Sequence, residues 1–400
     1  MLRTLPPSGN PIHAGEILDC FTTPAAQGAQ TLREKIRTSL DIKHAYLFAT
    51  GRGAMTVTLS ALAKGERTGK RRTVVMPSYT CYSVAASILK AGLDILVCDI
   101  EPRTADYDWD QISTINFDET LAIVSSNLYG IPNQLSRLEE LAQENGVSMV
   151  DDAAQCLGAT CDNRPVGTFG DAGILSFDKG KVVTSINGGV AVTADTDLGE
   201  RLAGELQNVP RTSAKSRVLD LIKLQAYFLL LRPSLYWIPK SLPFLGLGRT
   251  QYDEDFPLER YFDSLAPLAV AQLGRLQALN EERREKASLY VELLRESKGL
   301  ATIEPAAGCE PVYLRFPIRV SDQSARGKIL ESCSRLGCSI SYPSAIPDVN
   351  ELQGRISVHN NACEGGRTLA RQILTLPTHS SVDSSDIHSI CRRIIQAMSA

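Results

Sequence analysis

Between residues 45 and 195, short apolar runs alternate with helical patterns, a rhythm that leaves few folds open to the chain. The runs are AYLF (45–48), TVVM (73–76), DILVCDI (94–100), LAIVSS (121–126) and VSMVD (147–151), each ending in polar or turn residues. Strands joined through helices pair in parallel and are covered on both faces. The expected fold class is therefore α/β, a mostly parallel central sheet with helices on both faces. Between the last two runs Leu135, Leu138 and Leu141 recur at three-residue spacing and Asn145-Gly146 follows, which predicts an amphipathic helix and its C-cap. Asp151 and Asp152 then fall at the carboxyl end of a strand, the edge of an open α/β sheet where ligands bind.

Near residue 256 the pattern changes to a long charged helix, QLGRLQALNEERREKASLYVELLRE, followed by shorter strand and helix signals. The chain thus divides into an N-terminal segment (1–35), a large domain (36–217), an apolar connecting segment (218–255) and a small C-terminal α+β domain (256–400). Within the connection, residues 218–248 are unusually apolar. Lys223 and Arg232 bracket only the eight uncharged residues Leu224 to Leu231, whereas a membrane span needs about 20. Two readings stay open. The segment packs on the main lobe or a subunit interface through Phe228, Leu229, Leu231 and Trp237. Alternatively it makes peripheral membrane contact, with Tyr227, Tyr236 and Trp237 at the headgroups and Lys223, Arg232 and Lys240 facing anionic lipid.

Charge narrows the partners. The 42 basic and 45 acidic residues are spread along the chain with no basic stripe, so nucleic acid is not an expected partner. The ten cysteines include no C-x-x-C pair, and they are expected to be free thiols of a reducing compartment. The N-terminus lacks the apolar core of a signal peptide, so a cytoplasmic location is expected.

Three blocks carry chemistry. In ATGRGAMTVTLSAL (49–62), Thr50, Gly51, Arg52 and Gly53 lie between a strand and a helix. A helix N-terminus with glycines can hold a phosphate, and it can equally be a tight turn without a ligand. In VDDAAQCLGA (150–159), an acid at the strand end requires either a cationic partner or a following helix to cap. In GDAGILSFDKGKVVTSINGGVAVT (170–193), lysines occupy a polar loop between apolar runs. Lysine makes imines with aldehydes once it has lost its proton. Any single lysine is equally compatible with a solvated surface position.

Taken in order, the three blocks resemble the DegT/StrS family, the fold-type-I pyridoxal-phosphate (PLP) aminotransferases of nucleotide-linked keto sugars. The likeness runs from about residue 40 to 210 and resumes at 265–290 and 374–382. It implies that Lys181, five positions after Ser176, forms the Schiff base, rather than Lys179. It also implies that Asp152 pairs with the pyridinium nitrogen, that Gln155 lies against the phenolic side of the ring, and that Ser176 and the backbone at Thr50, Gly51 and Arg52 hold the phosphate. Tyr79 and Tyr82 are both candidates to stack on the ring, because Cys81 stands where the family commonly has an aromatic residue. Asn127 takes a position where many members carry His. A homodimer is implied, with Asn208 in QNVPR (207–211) offered to the neighbouring site. The implied reaction transfers an amino group from glutamate to a nucleotide-linked keto sugar, for polysaccharide or glycoconjugate synthesis. Dehydration of the sugar, an amino-acid substrate and a non-catalytic ligand-binding role are the alternatives.

Overall fold

The computed structural model describes residues 3–65, 70–242, 250–361 and 363–399. Its centre is an eight-stranded sheet. The strands are β1 (His44–Phe48), β2 (Thr73–Pro77), β3 (Asp94–Cys98), β4 (Thr120–Val124), β5 (Ser148–Asp152), β6 (Ala172–Ser176), β7 (Gly189–Thr193) and β8 (Ser357–Val358). Their spatial order is β1-β7-β6-β5-β4-β2-β3-β8. Only β7 runs antiparallel to its neighbours; the remaining pairs are parallel.

Alternation along each strand feeds two apolar layers. Val75, Ile123, Met149 and Leu175 join one core, while Val74, Met76, Ala122, Val124, Val150 and Ile174 join the other. Helix Leu135–Glu144 buries Leu135 and Leu138 in the first layer. It is capped by Asn145, and Gly146 follows at φ +60°. Helix Gly51–Ala63 buries Val57 and Leu59 in the second.

The C-terminal part forms an antiparallel three-stranded sheet from Leu300–Thr302, Phe316–Val320 and Ile373–Leu376. Its own core holds Ile318, Ile329 and Ile390 together with Leu5 from the other end of the chain. The long charged helix expected there is two helices, Ala266–Leu273 and Leu276–Leu294, separated at Gly274 and Arg275. Several elements cross the expected boundaries. Helix Ala25–Leu40 runs through 35/36, Ala214–Leu230 runs through 217/218, and β8 brings residues beyond 256 into the main sheet.

Two further expectations are revised. Cys161 and Cys309 are not free thiols: they face each other across an antiparallel pair with Cα atoms 3.9 Å apart and form a disulfide. The other eight cysteines are free. The apolar segment is a helix, Ala214–Leu230, and a short turn of helix at Trp237–Lys240; residues 243–248 lie outside the described residues. Leu224 is fully buried, and Tyr227 and Phe228 pack against the main core. Leu229 and Trp237 remain exposed. Tyr227 donates its hydroxyl to the Lys179 carbonyl (2.6 Å) and Lys223 pairs with Asp220 (3.3 Å), so neither is presented outward to lipid headgroups. Among the described residues no helix is long and apolar enough to cross a membrane.

Candidate active site

At the carboxyl edge of the sheet, β5, β6 and the loop after β1 end around one cavity of about 540 Å³. Helix Gly51–Ala63 starts at its wall. The Thr50 hydroxyl caps this helix by accepting from the Gly53 N–H (3.0 Å), which leaves the helix opening and its dipole aimed at the cavity. β7 runs so close that a Cβ on Gly189 would strike the Thr50 carbonyl and the Gly51 nitrogen, so only glycine fits there. Ser176 ends β6 beside Gly51, with its Oγ 3.3 Å from where a Gly51 Cβ would sit. Thr50, Gly51, Arg52 and Ser176 therefore meet on one wall.

Asp152 and Lys181 share the same cavity. Asp152 takes one hydrogen bond, from the Ala154 N–H (3.0 Å), and its second oxygen accepts none among the described residues. Burial pushes its carboxyl up, opposed by that hydrogen bond and by the positive charge of Lys181. Asp151, one residue earlier, points to the other face. Its carboxylate accepts from Ser125, Asn127, and the Gly167 and Phe169 N–H groups. Burial pushes it up to about 6 against those bonds. Asn127 also donates to the Asp152 carbonyl (3.0 Å), which makes it the brace that fixes this acidic pair.

The other expected residues are placed differently. Tyr79 is wholly buried, its hydroxyl 3.2 Å from that of Tyr129 and 3.1 Å from the Tyr342 carbonyl, and Tyr82 turns its hydroxyl to Ser344. Neither lines the cavity; Cys81 does. Gln155 sits beside the cavity, bonded to the Tyr342 hydroxyl (3.0 Å) and to the Tyr129 N–H (3.0 Å). Asn208 is exposed at the end of helix Thr196–Asn208 and away from the cavity. The Arg52 guanidinium turns outward to Asp253 (2.9 Å) and over the Phe256 ring.

Lys179, Asn187, Lys223 and Asp253 also line the cavity. Asp220 joins two of them, accepting from Asn187 (2.6 Å) and Lys223 (3.3 Å). The signal for this group was present in the sequence: Asp220 and Lys223 are the only charged residues in the otherwise uncharged stretch from Val218 to Leu231.

Residues 20–219 and 259–395 match the model of the DegT/DnrJ/EryC1/StrS aminotransferase family. The chain belongs to that family. A curated relative is the UDP-N-acetyl-3-dehydro-alpha-D-glucosamine 3-aminotransferase of Acidithiobacillus ferrooxidans, 25% identical over 94% of this chain and 90% of its own. Among family structures, the aminotransferase TlmJ from Streptoalloteichus hindustanus superposes with a TM-score of 0.78 at 21% identity, covering 99% of both chains. The E. coli GDP-4-keto-6-deoxy-D-mannose-3-dehydratase with bound hydrated PLP gives 0.78 at 17%, covering 98% of this chain and 100% of the other. The fold-type-I architecture implied by the resemblance is thus the fold that these proteins share.

Proposed function

We propose that the protein is a PLP-dependent aminotransferase that moves an amino group from glutamate to a keto sugar carried on a nucleotide. The observation that supports this reading is one cavity holding Asp152, Lys181, Ser176 and a helix N-terminus, in a chain of this family. The residues fit the cofactor. A carboxylate oxygen without a partner suits a protonated ring nitrogen, a primary amine suits an aldehyde, and the serine with the helix opening suits a phosphate. When bound, PLP supplies an electron sink for the carbon that carries the nitrogen.

The chain supplies the rest. Lys181 would hold the cofactor through its aldehyde, and the Lys181 amine would move a proton at the carbon bearing the transferred nitrogen. Asp152 would keep a proton on the ring nitrogen, with Asn127 bracing Asp152. Ser176 and the opening of helix Gly51–Ala63 anchor the phosphate, while Asn187 and Lys223 remain on the wall for substrate. We assign the enzyme to the cytoplasm, as a homodimer in which Asn208 reaches the neighbouring cavity, in the synthesis of polysaccharide or glycoconjugate sugars. Its exposed position at a helix end is compatible with such a reach.

The test is mass spectrometry of products after incubation with PLP, L-glutamate and a panel of UDP-, dTDP- and GDP-linked keto sugars. Conversion of the ketone to an amine with release of 2-oxoglutarate is the expected result. Loss of water from the sugar would instead support dehydration, the reaction named for the E. coli neighbour. Binding of sugar nucleotide with no product would indicate a non-catalytic homologue.

A further inference from the structure

Two of the four cations on the cavity wall are ion-paired, while Lys179 and Lys181 carry no ion pair among the described residues. Arg52 has Asp253 and Lys223 has Asp220. Arg315, at the entry to strand Phe316–Val320, has no carboxylate within ion-pair distance among the described residues. Its Nη2 donates to Ser8 Oγ (3.0 Å) and its Nη1 to Ser339 Oγ (3.3 Å). The phenols of Tyr342, Tyr129 and Tyr236 act on its charge, and its charge in turn acts on Arg283 and His379. Burial lowers the pKa of the guanidinium, and two neutral hydroxyls do not offset the withdrawal of a full charge from water.

Position connects this cation to the chemistry. Ser8 Oγ lies 3.1 Å from where a Cβ on Gly180 would be, so one hydroxyl separates the Arg315 guanidinium from the Lys179–Lys181 loop. Around the same arginine, Tyr129 and Tyr342 both bond Gln155. The Arg315 backbone N–H donates to the Tyr129 carbonyl (3.4 Å). Tyr129 is held at φ +63°, a left-handed conformation uncommon for a side chain of this size, which persists only where the surrounding contacts fix it.

We propose that Arg315, with Ser8 and Ser339, binds the carboxylate of the amino donor. The inference rests on the aminotransferase reading above. An α-amino acid that presents its nitrogen where Lys181 stood carries a carboxylate on the adjacent carbon, so the anion must fall beside the lysine loop. A planar guanidinium fork matches a carboxylate. The diphosphate of a nucleotide-linked sugar is attached through the anomeric carbon, so it stays away from the ring carbon that receives nitrogen. Lys223 and Arg52 on the cavity wall fit it better.

The test compares wild type, Arg315→Gln and Arg315→Lys in the PLP-loaded enzyme. L-glutamate and 2-oxoglutarate are titrated calorimetrically in parallel with UDP, dTDP and GDP. Loss of a charge-assisted pair should weaken both dicarboxylates about 10- to 100-fold in Arg315→Gln, with Arg315→Lys intermediate and nucleotide affinity unchanged. Unchanged dicarboxylate affinity overturns the proposal, as does weaker nucleotide binding in its place, which would make the site a diphosphate subsite. Equal loss of every ligand with a lower Tm also overturns it, because Arg315 would then be structural. If wild type aminates no sugar yet binds dicarboxylates through Arg315, the function reading fails while the site stands.

Discussion

In an extended strand successive side chains point to opposite faces, so of Asp151 and Asp152 only one can reach the cavity. The two substitutions should therefore fail in different ways. Asp152→Asn should leave the fold intact and slow transamination by about 10²- to 10⁴-fold, since an amide cannot keep the ring nitrogen protonated. Asp151→Asn would turn an amide donor toward the Gly167 and Phe169 N–H groups and cost about 1–3 kcal/mol of stability. Urea unfolding and steady-state rates separate them, and equal losses of activity at unchanged stability would refute the distinction. Lys179 and Lys181 both line the cavity, but it is Lys181 whose charge acts on Asp152. Borohydride should fix the cofactor to Lys181, and the adduct should vanish in Lys181→Ala and persist in Lys179→Ala; a labelled Lys179 peptide would reverse the choice. Thr50, Gly51, Asp152 and Ser176 were readable in sequence because each lies at or just beyond a strand end, where local pattern fixes position, whereas Lys181 was told from Lys179 only by the spacing from Ser176 that the family resemblance implies. The placement of Asn187 and Lys223 on the cavity was not readable, because packing between distant segments brings them there, although the charges of Asp220 and Lys223 stood out in their apolar stretch.

Helix Ala214–Leu230 shows what pattern reading can and cannot reach at the scale of an element. The strands from β1 to β5 lie within one residue of their apolar runs at all but the trailing ends of DILVCDI and LAIVSS, which overrun by two, since period-two burial is a local signal. β8 has only two residues and depends on docking against β3, so no local pattern announces it. For the apolar helix, hydrophobicity was evident but its facing was not. One side buries Leu224 and Asp220, while Val218, Leu219 and Ile222 are 58%, 45% and 60% exposed. With Tyr227 and Lys223 turned inward, a second copy of the chain suits this outer stripe better than a lipid surface does. If the proposed homodimer forms through this stripe, Ile222→Asp should convert it to monomer in sedimentation without lowering secondary structure, because a carboxylate would be buried unpaired in the interface. Wild type should stay out of the lipid fraction in flotation with anionic vesicles at low salt. A variant that remains dimeric, with wild type floating, would return the stripe to the membrane reading.

At the scale of the whole molecule, the N-terminal arm joins the two ends of the chain. Leu5 sits in the C-terminal core, Asn10 accepts from buried Arg283 (2.6 Å), and the Pro6 carbonyl accepts from His379 Nε2 (2.8 Å). His379 Nδ1 in turn accepts from the Ser381 N–H (3.3 Å), so the ring is used as the neutral tautomer carrying its proton on Nε2. Burial lowers its pKa to about 3, helped by the positive charges of Arg283, Lys286 and Arg315 and opposed by the bond to Pro6. In the unfolded chain the imidazole takes a proton below about 6.5. Between these two values the unfolded state binds the extra proton and the folded state does not, so acidification favours unfolding. The stability contributed by neutral His379 is thus complete above pH 6.5 and is lost as pH falls toward 3, by at most about 1.4 kcal/mol per pH unit. His379→Asn removes the titration, and the difference from wild type cancels the opposite trend from Asp106 and Asp151, both raised to about 6 by burial. Urea unfolding from pH 7.5 to 4.5 should show wild type losing stability more steeply than His379→Asn below pH 6.5. Parallel curves would mean that His379 is protonated in the folded protein, and that its bond to Pro6 does not hold the arm as a neutral donor.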